Sequence, residues 1–306
     1  MSVAPHHFAE HLEILQQHAR PIQLQRLPQE FLRKKSTNPA VVVTFDDGYA
    51  DNLHNARPAL ERYDVPATFF LTTRYMGNER EFWWDELEQI LLQPGALPNT
   101  LSISINGTAY RWELGEASHY TEEDFRRHRC WKAWENGPSP RHYLYSSLWE
   151  LLHPLAEGER RRVLDELLGW AGVEPVVRST HRPLSPNETL ALARSELVEV
   201  GAHTVTHPAL SALTAASQRY EILKSKFQLQ KITGRRVTSF AYPYGRQSDY
   251  TTETIDIIQK AGFACSCSNF SGVVKRNTDP FQLPRVQVRD WDADEFAKQL
   301  SRWLYG

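Results

Sequence analysis

Ala40-Val41-Val42-Val43-Thr44-Phe45-Asp46-Asp47-Gly48 is the stretch that decides the fold. Six residues dominated by β-branched and aromatic side chains stop abruptly at two carboxylates and a glycine. This reads as a buried strand with its polar residues at the C-terminal end. Residues 52–63 follow with helical spacing, broken by Pro58, and residues 65–71 (Val-Pro-Ala-Thr-Phe-Phe-Leu) give a second strand. A strand, a helix and a strand within about thirty residues imply a parallel crossover unit. Working outward, residues 8–17 and 28–34 read as helices upstream. Downstream of residue 185 the alternation resumes, with a helix starting at 185 and others at 216–233, 251–261 and 292–304. Strands are expected at 197–202, 237–242, 263–268 and 281–288. Ser185-Pro186-Asn187-Glu188 has the cap, the N1 proline and the capping-box glutamate of a helix start.

The 306 residues carry 35 Lys+Arg against 37 Asp+Glu, a net charge of −2. No global basic field points to nucleic acid. No apolar run approaches the ~20 residues needed to span a bilayer. The first fifteen residues have neither a basic n-region nor an apolar h-region, so a cytoplasmic location is the expectation. Three cysteines are too few for a disulfide framework, and Cys265 and Cys267, on opposite faces of a strand, are read as buried small residues, not ligands. Seven of the nine tryptophans, at 83, 84, 112, 131, 134, 149 and 170, fall between residues 77 and 184. That segment is expected to be a mainly helical insertion, with a hairpin at Asn106-Gly107, helices at 121–134, 143–155 and 159–170, and a satellite core built from most of its tryptophans. The chain is then one domain, residues 1–306, carrying an excursion rather than two domains in series.

Four constellations sit at predicted strand ends. Asp46 and Asp47 point in different directions because the side-chain period of a strand is two, so one can bind a cation while the other stays free as a base. The bland alternative is an Asp-Gly turn. His203-Thr204-Val205-Thr206-His207 spaces two imidazoles at i and i+4, a chelating separation if the loop curls into a helical turn. Tyr242-Pro243-Tyr244-Gly245 and Leu283-Pro284-Arg285 are weaker signals taken alone. In an α/β sheet, however, the C-terminal ends of parallel strands meet at one rim. Ligand-type residues on two strand ends therefore point to one divalent-metal site.

In this order the motifs TFDDGYADN, HTVTHP, YPYG and LPR resemble the polysaccharide deacetylases, the NodB-homology group or carbohydrate esterase family 4, over about half of the chain. The resemblance implies a distorted (β/α) barrel of about seven parallel strands. It implies a hydrolase that deacetylates N-acetylated sugars of a polysaccharide or glycan precursor. It assigns Asp46 as catalytic base, Asp47, His203 and His207 as ligands of a divalent metal (Zn²⁺ first, Co²⁺ or Ni²⁺ as alternatives), and Tyr244 as the residue whose backbone N–H holds the oxyanion. Pro243 and Tyr244 fall on the substrate side of the same turn.

Two departures accompany the resemblance. The family's third motif begins with Arg where this chain has Ala241, and Arg285 is expected to supply that charge to Asp46. Many relatives also carry a late histidine as general acid, whereas no histidine follows His207 here. The acid is an earlier histidine such as His54 or His181, a water, or is lacking. The alternatives to an N-deacetylase are accordingly a carbohydrate-binding protein without turnover and a related O-deacetylase or amide hydrolase. At the start of the insertion, Trp84 with Asp85 is a candidate sugar-binding pair, an aromatic face beside a hydroxyl acceptor.

Overall fold

A computed structural model describes residues 3–30, 38–77 and 80–306. The strands are β1 (Arg20–Pro21), β2 (Ala40–Val41), β3 (Val43–Phe45), β4 (Ala67–Leu71), β5 (Gly95–Ala96), β6 (Thr100–Ile105), β7 (Thr108–Glu113), β8 (His119–Tyr120), β9 (Val198–Ala202), β10 (Ser239–Ala241) and β11 (Cys265–Cys267). The helices are α1 (Pro5–His18), α2 (Leu27–Glu30), α3 (Arg57–Arg62), α4 (Trp83–Leu92), α5 (Glu122–His128), α6 (Pro140–Leu152), α7 (Glu157–Ala171), α8 (Pro186–Ala193), α9 (Ala215–Thr233), α10 (Thr252–Lys260) and α11 (Ala293–Tyr305). The chain divides into two compact units, Met1–Asn78 with Pro183–Gly306, and Glu79–Arg182. Among the described residues no helix is long and apolar enough to cross a membrane.

The first unit is built on a parallel sheet in the order β11-β10-β9-β4-β3. Register is fixed by large apolar side chains standing opposite one another: Phe45 opposite Phe69, and Phe69 opposite Val200. Beside β3 the chain runs back through Val42 into β2, which pairs in parallel with β1, and beside β11 a single parallel bridge joins Cys267 to Leu283. Counting β2 and β3 as one run, seven parallel segments follow one another, the expected barrel-type sheet. The outermost expected strand, residues 281–288, is reduced to that one bridge. Pro284 brings no N–H to a ladder, and Arg285 donates its N–H to the Phe270 carbonyl instead.

Strand alternation gives the sheet two faces. On one, Phe69, Leu71, Val198, Val200 and Phe240 pack with helix residues such as Leu12, Leu60, Leu192, Ile222 and Ile258 into the main core. On the other, Phe70, Ala241 and Cys267 join Leu24 and Leu283 in a smaller cluster. That inner face is tight at Gly201, where an added Cβ would stand 2.4 Å from the Phe70 ring and 2.8 Å from Ser239 Oγ. The helix opening at Pro186 has its full capping box, with Ser185 and Glu188 exchanging both bonds. The helical stretch after Asp51 divides as Pro58 requires, a π-type turn at Asn52–Ala56 and then α3. The expected helix at 28–34 is described only as far as Glu30, and its remainder lies outside the described residues.

The second unit packs α4, α6 and α7 with the β6–β7 hairpin. Its turn is the expected Asn106-Gly107 pair, both left-handed at φ 50° and 77°, the geometry of a type I′ turn. The expected tryptophan core is mostly a leucine core. Trp83 is fully buried beside Trp149, but the buried layer is Leu87, Leu101, Leu144, Leu148, Val163 and Leu164, and Trp134 is exposed. The expected 121–134 helix stops at His128, ahead of the Asn136-Gly137-Pro138 breaker.

Candidate metal centre

Asp46 and Asp47 leave the C-terminal end of β3, His203 and His207 follow β9, Tyr244 follows β10, and Arg285 lies just beyond the Leu283 bridge. The sheet therefore delivers all six residues to one rim. Asp47 Oδ1 lies 3.4 Å from His203 Nε2 and 3.2 Å from His207 Nε2. One donor atom from each residue falls within 4.8 Å of the others. His203 is 1 % and His207 3 % exposed, while Asp47 is half-buried.

The donor set fits a divalent ion. His203 Nδ1 is 2.8 Å from the Ala241 carbonyl and donates to it, which leaves the Nε2 lone pair facing Asp47. Two imidazoles and one carboxylate are three protein ligands, the number found where a metal keeps a position for water or substrate. Burial raises the Asp47 pKa, but without an ion the two imidazoles, when protonated at Nε2, hydrogen-bond to it and more than offset the burial, so the carboxyl lies well below its ordinary range. His203 moves the other way. Burial disfavours its charge, the Asp47 and Asp46 carboxylates favour it, and the net shift is upward.

Asp46 stands apart from this cluster in its bonding. Arg285 Nη1 donates to Oδ1 at 2.8 Å and Nη2 to Oδ2 at 2.7 Å, a bidentate clamp. The same guanidinium bonds Thr44 Oγ1 and the Ser268 carbonyl, so its own orientation is fixed. Burial pushes the Asp46 pKa up, the Arg285 charge pulls it down further, and the carboxyl ends below its usual value. Arg285, expected to supply the charge missing at Ala241, is in direct contact with Asp46. Ala241 is fully buried, and it contributes its carbonyl to His203.

The backbone around the site is strained. Six non-glycine residues among those described have positive φ, and four of them are Asp47 (71°), Thr204 (66°), His207 (56°) and Tyr244 (59°). Left-handed backbone in such residues costs about 1–3 kcal/mol each and collects at functional sites. This also corrects the expected geometry of the histidine loop. The two imidazoles converge through left-handed kinks at Thr204 and His207, not through a helical turn. Tyr244 stands edge-on to the His207 ring, centroids 4.6 Å apart, and Pro243 is buried beneath the turn. An added Cβ at Gly245 would lie 2.7 Å from the Asn269 nitrogen, so the YPYG turn closes only with glycine there.

Several partners of the site escaped the sequence reading. Thr204 Oγ1 accepts from the His207 N–H at 3.0 Å. Glu221, on α9, bonds Val205 and Thr206. The readable signal was that Glu221 is the one acidic residue of α9 and falls on its inward side with Ile222 and Ser225. The two histidines named as acids are held elsewhere in the contacts described. His54 pairs with Glu188 at 3.0 Å, and His181, in the second unit, is 2.9 Å from Thr180 Oγ1. Trp84 and Asp85 form the half-exposed first turn of α4 in the second unit, where Trp84 stacks on Phe82.

A family model described as polysaccharide deacetylase matches residues 33–97 and 169–266, more than half of the chain. YxkH of Bacillus subtilis (strain 168), named as a polysaccharide deacetylase, is 33% identical over 57 residues, covering 19% of this chain and 20% of that protein. The alignment thus spans about a fifth of that relative's length. Among solved structures, Streptococcus pyogenes deacetylase PplD in complex with acetate superposes with a TM-score of 0.55 at 15% identity, over 99% of this chain and 88% of that one. IcaB from Ammonifex degensii gives 0.55 at 17% identity, over 100% and 91%. These two likenesses concern the fold.

Proposed function

The chain belongs to the polysaccharide deacetylase family, and from that premise we propose that it hydrolyses the acetamide of an N-acetylated sugar within a polysaccharide or glycan precursor. The observation that carries this reading is the separation of two neighbouring carboxylates into two environments. Asp47 faces two imidazole nitrogens, and Asp46 is clamped by a guanidinium. In this reading Asp47, His203 and His207 hold a divalent ion, zinc in the first place. That ion supplies Lewis acidity toward the acetyl carbonyl and lowers the pKa of attacking water toward ~7.

The remaining chemistry belongs to the side chains. Asp46 is ionised at neutral pH, because the Arg285 charge outweighs the cost of burial, and so it can take a proton from the attacking water. Arg285 occupies one acceptor direction on each Asp46 oxygen, and each oxygen keeps a second. The clamp therefore orients the base without consuming it, at some cost in basicity. Tyr244, placed by its left-handed turn against His207, is assigned to the developing oxyanion through its backbone N–H.

The decisive measurement is acetate release from an N-acetylhexosamine oligomer with added Zn²⁺, with an O-acetylated sugar in parallel. Asp46→Asn should lower turnover by about 10²–10⁴-fold, the range of a general base, while retaining Zn²⁺. An Asp46→Asn protein with parental turnover would overturn the assignment. One observation favours a second reading, sugar binding without turnover: no histidine follows His207. Bound oligomer with no acetate released from either substrate would decide for it.

A further inference from the structure

Helix α9 carries a single acidic residue among Arg219, Lys224, Lys226 and Lys231, and it is turned inward: Glu221 is 7 % exposed. A carboxylate is not left in such a place without partners. Glu221 Oε2 accepts from the backbone N–H of Val205 at 2.8 Å and of Thr206 at 2.9 Å, and Oε1 accepts from Thr206 Oγ1 at 2.8 Å. Val205 and Thr206 are the middle of the segment joining His203 to His207.

That segment does not hold its shape by local preference. Thr204 and His207, on either side of the bonded amides, are both left-handed, and a β-branched residue such as Thr204 is especially disfavoured there. The conformation points successive N–H groups into one concavity, a ready site for an anion. Here the anion is internal. We propose that Glu221 is a positioning residue that fixes the spacing of His203 and His207 from the helix side, so that the pair is set before an ion arrives. Its importance to turnover rests on the metal reading given above; its effect on the loop does not. Thr204 Oγ1, which accepts from the His207 N–H, adds to the brace from within the loop, and the Thr73 and Arg74 N–H groups, donating to the Thr204 and Val205 carbonyls, hold its outer edge.

The test uses the full chain with Glu221→Ala and Glu221→Gln, and Zn²⁺ alone as the probe in competition with a chelator. Removing a partner of this kind weakens metal binding by about 10–100-fold. Glu221→Ala is expected in that range. Glu221→Gln keeps one oxygen for the two amides and turns its NH₂ toward Thr206 Oγ1, so it should lose less. It also serves if the alanine variant fails to fold. The second readout is amide hydrogen exchange in metal-free protein. Faster exchange confined to residues 204–207, with β4 and β10 unchanged, supports the proposal. Parental Zn²⁺ affinity in Glu221→Ala overturns it, as does protection lost throughout the sheet, which would make Glu221 a general brace of the fold. A parent chain that takes no Zn²⁺ would refute the metal reading. The exchange pattern would then decide on Glu221, with unchanged exchange at 204–207 overturning it.

Discussion

Each of the two units buries arginine, and the two uses differ in what the guanidinium faces. In the first unit Arg285 gives two of its bonds to the oxygens of a single carboxylate, Asp46, beside the Asp47–His203–His207 cluster. In the second, Arg141, 1 % exposed, gives its described hydrogen bonds to carbonyls, those of Leu91, Gln93 and Gly95 at and beyond the end of α4 and of Ala117 and Ser118, and lies over the Tyr120 ring. Arg160 donates to the Leu152, His153 and Leu155 carbonyls at and beyond the end of α6, while its guanidinium lies over the Trp83 ring and 3.7 Å from a Glu157 oxygen. Helix C-termini leave carbonyls that need donors, and a buried arginine with five N–H groups can serve several at once. Such an arginine is consumed by the fold. Arg285 leaves its partner with acceptor capacity, at a rim where the backbone is strained. Arg285 is also less deeply buried, its side chain 14 % exposed against 1 % for Arg141 and Arg160, but what decides its use is the partner.

The largest effect expected is on the cluster itself. Asp47→Ala or His207→Ala should abolish Zn²⁺ retention, measured by equilibrium dialysis and metal analysis, and turnover with it. Tight Zn²⁺ binding surviving either change would place the ion elsewhere. Next comes the exchange of roles between the two arginines. Arg141→Ala should destabilise the second unit by more than about 3 kcal/mol, because several buried carbonyls lose their donors together, seen as lost hydrogen-exchange protection in α4 and α6. Arg141→Lys should rescue little, since an ammonium has three donors on one point and cannot span the five carbonyls. Arg285→Ala should cost turnover, about 10²-fold through misplacement of Asp46, with a much smaller change in stability. Equal stability losses for the two alanine variants would erase the comparison.

The comparison also explains what could be read from the chain. Parallel strands deliver their C-terminal residues to one rim whatever the loops do, so Asp46, Asp47, His203 and His207 could be brought together on paper from strand assignments alone. Arg285 was legible only against a pattern in which Ala241 occupies the place of an arginine. Glu221 could be noticed as the one acidic residue of α9, on its inward side, but its role could not be read, because its partners are backbone amides exposed by left-handed turns at Thr204 and His207, and nothing in the spacing of the motif specifies those turns. In the insertion the misreading had a single physical source. Buried charge looks like solvent-facing charge in a sequence, so Arg141, Arg160, and Glu86 with Arg80 and Arg161 were overlooked while the tryptophans drew attention. The last expected strand failed at Pro284 for the opposite reason: the signal was there and carried too little weight.

The smallest effect sharpens the contrast through pH. His142, 2 % exposed in the second unit, accepts no stabilising charge. Burial, and then the positive fields of His128 and Arg141, lower its pKa from 6.5 to about 4. In the unfolded chain it titrates near 6.5, so between pH 6.5 and about 4 the unfolded state binds the extra proton. The His142 contribution to stability therefore falls as the pH drops through that window and is flat again below it. By pH 5 the loss is about 2 kcal/mol, at 1.36 kcal/mol per unit. Ser139 Oγ, 2.7 Å from Nδ1, is the hydrogen-bond partner that keeps the neutral ring in place. His142→Asn should remove the slope and leave the plateau above pH 6.5 displaced by a constant amount, read from denaturant unfolding followed by tryptophan fluorescence. A parent chain whose stability is level from pH 6.5 to 4 would mean that the second unit opens around His142 at no cost. Its buried cations would then have no claim to be the rigid half of the comparison.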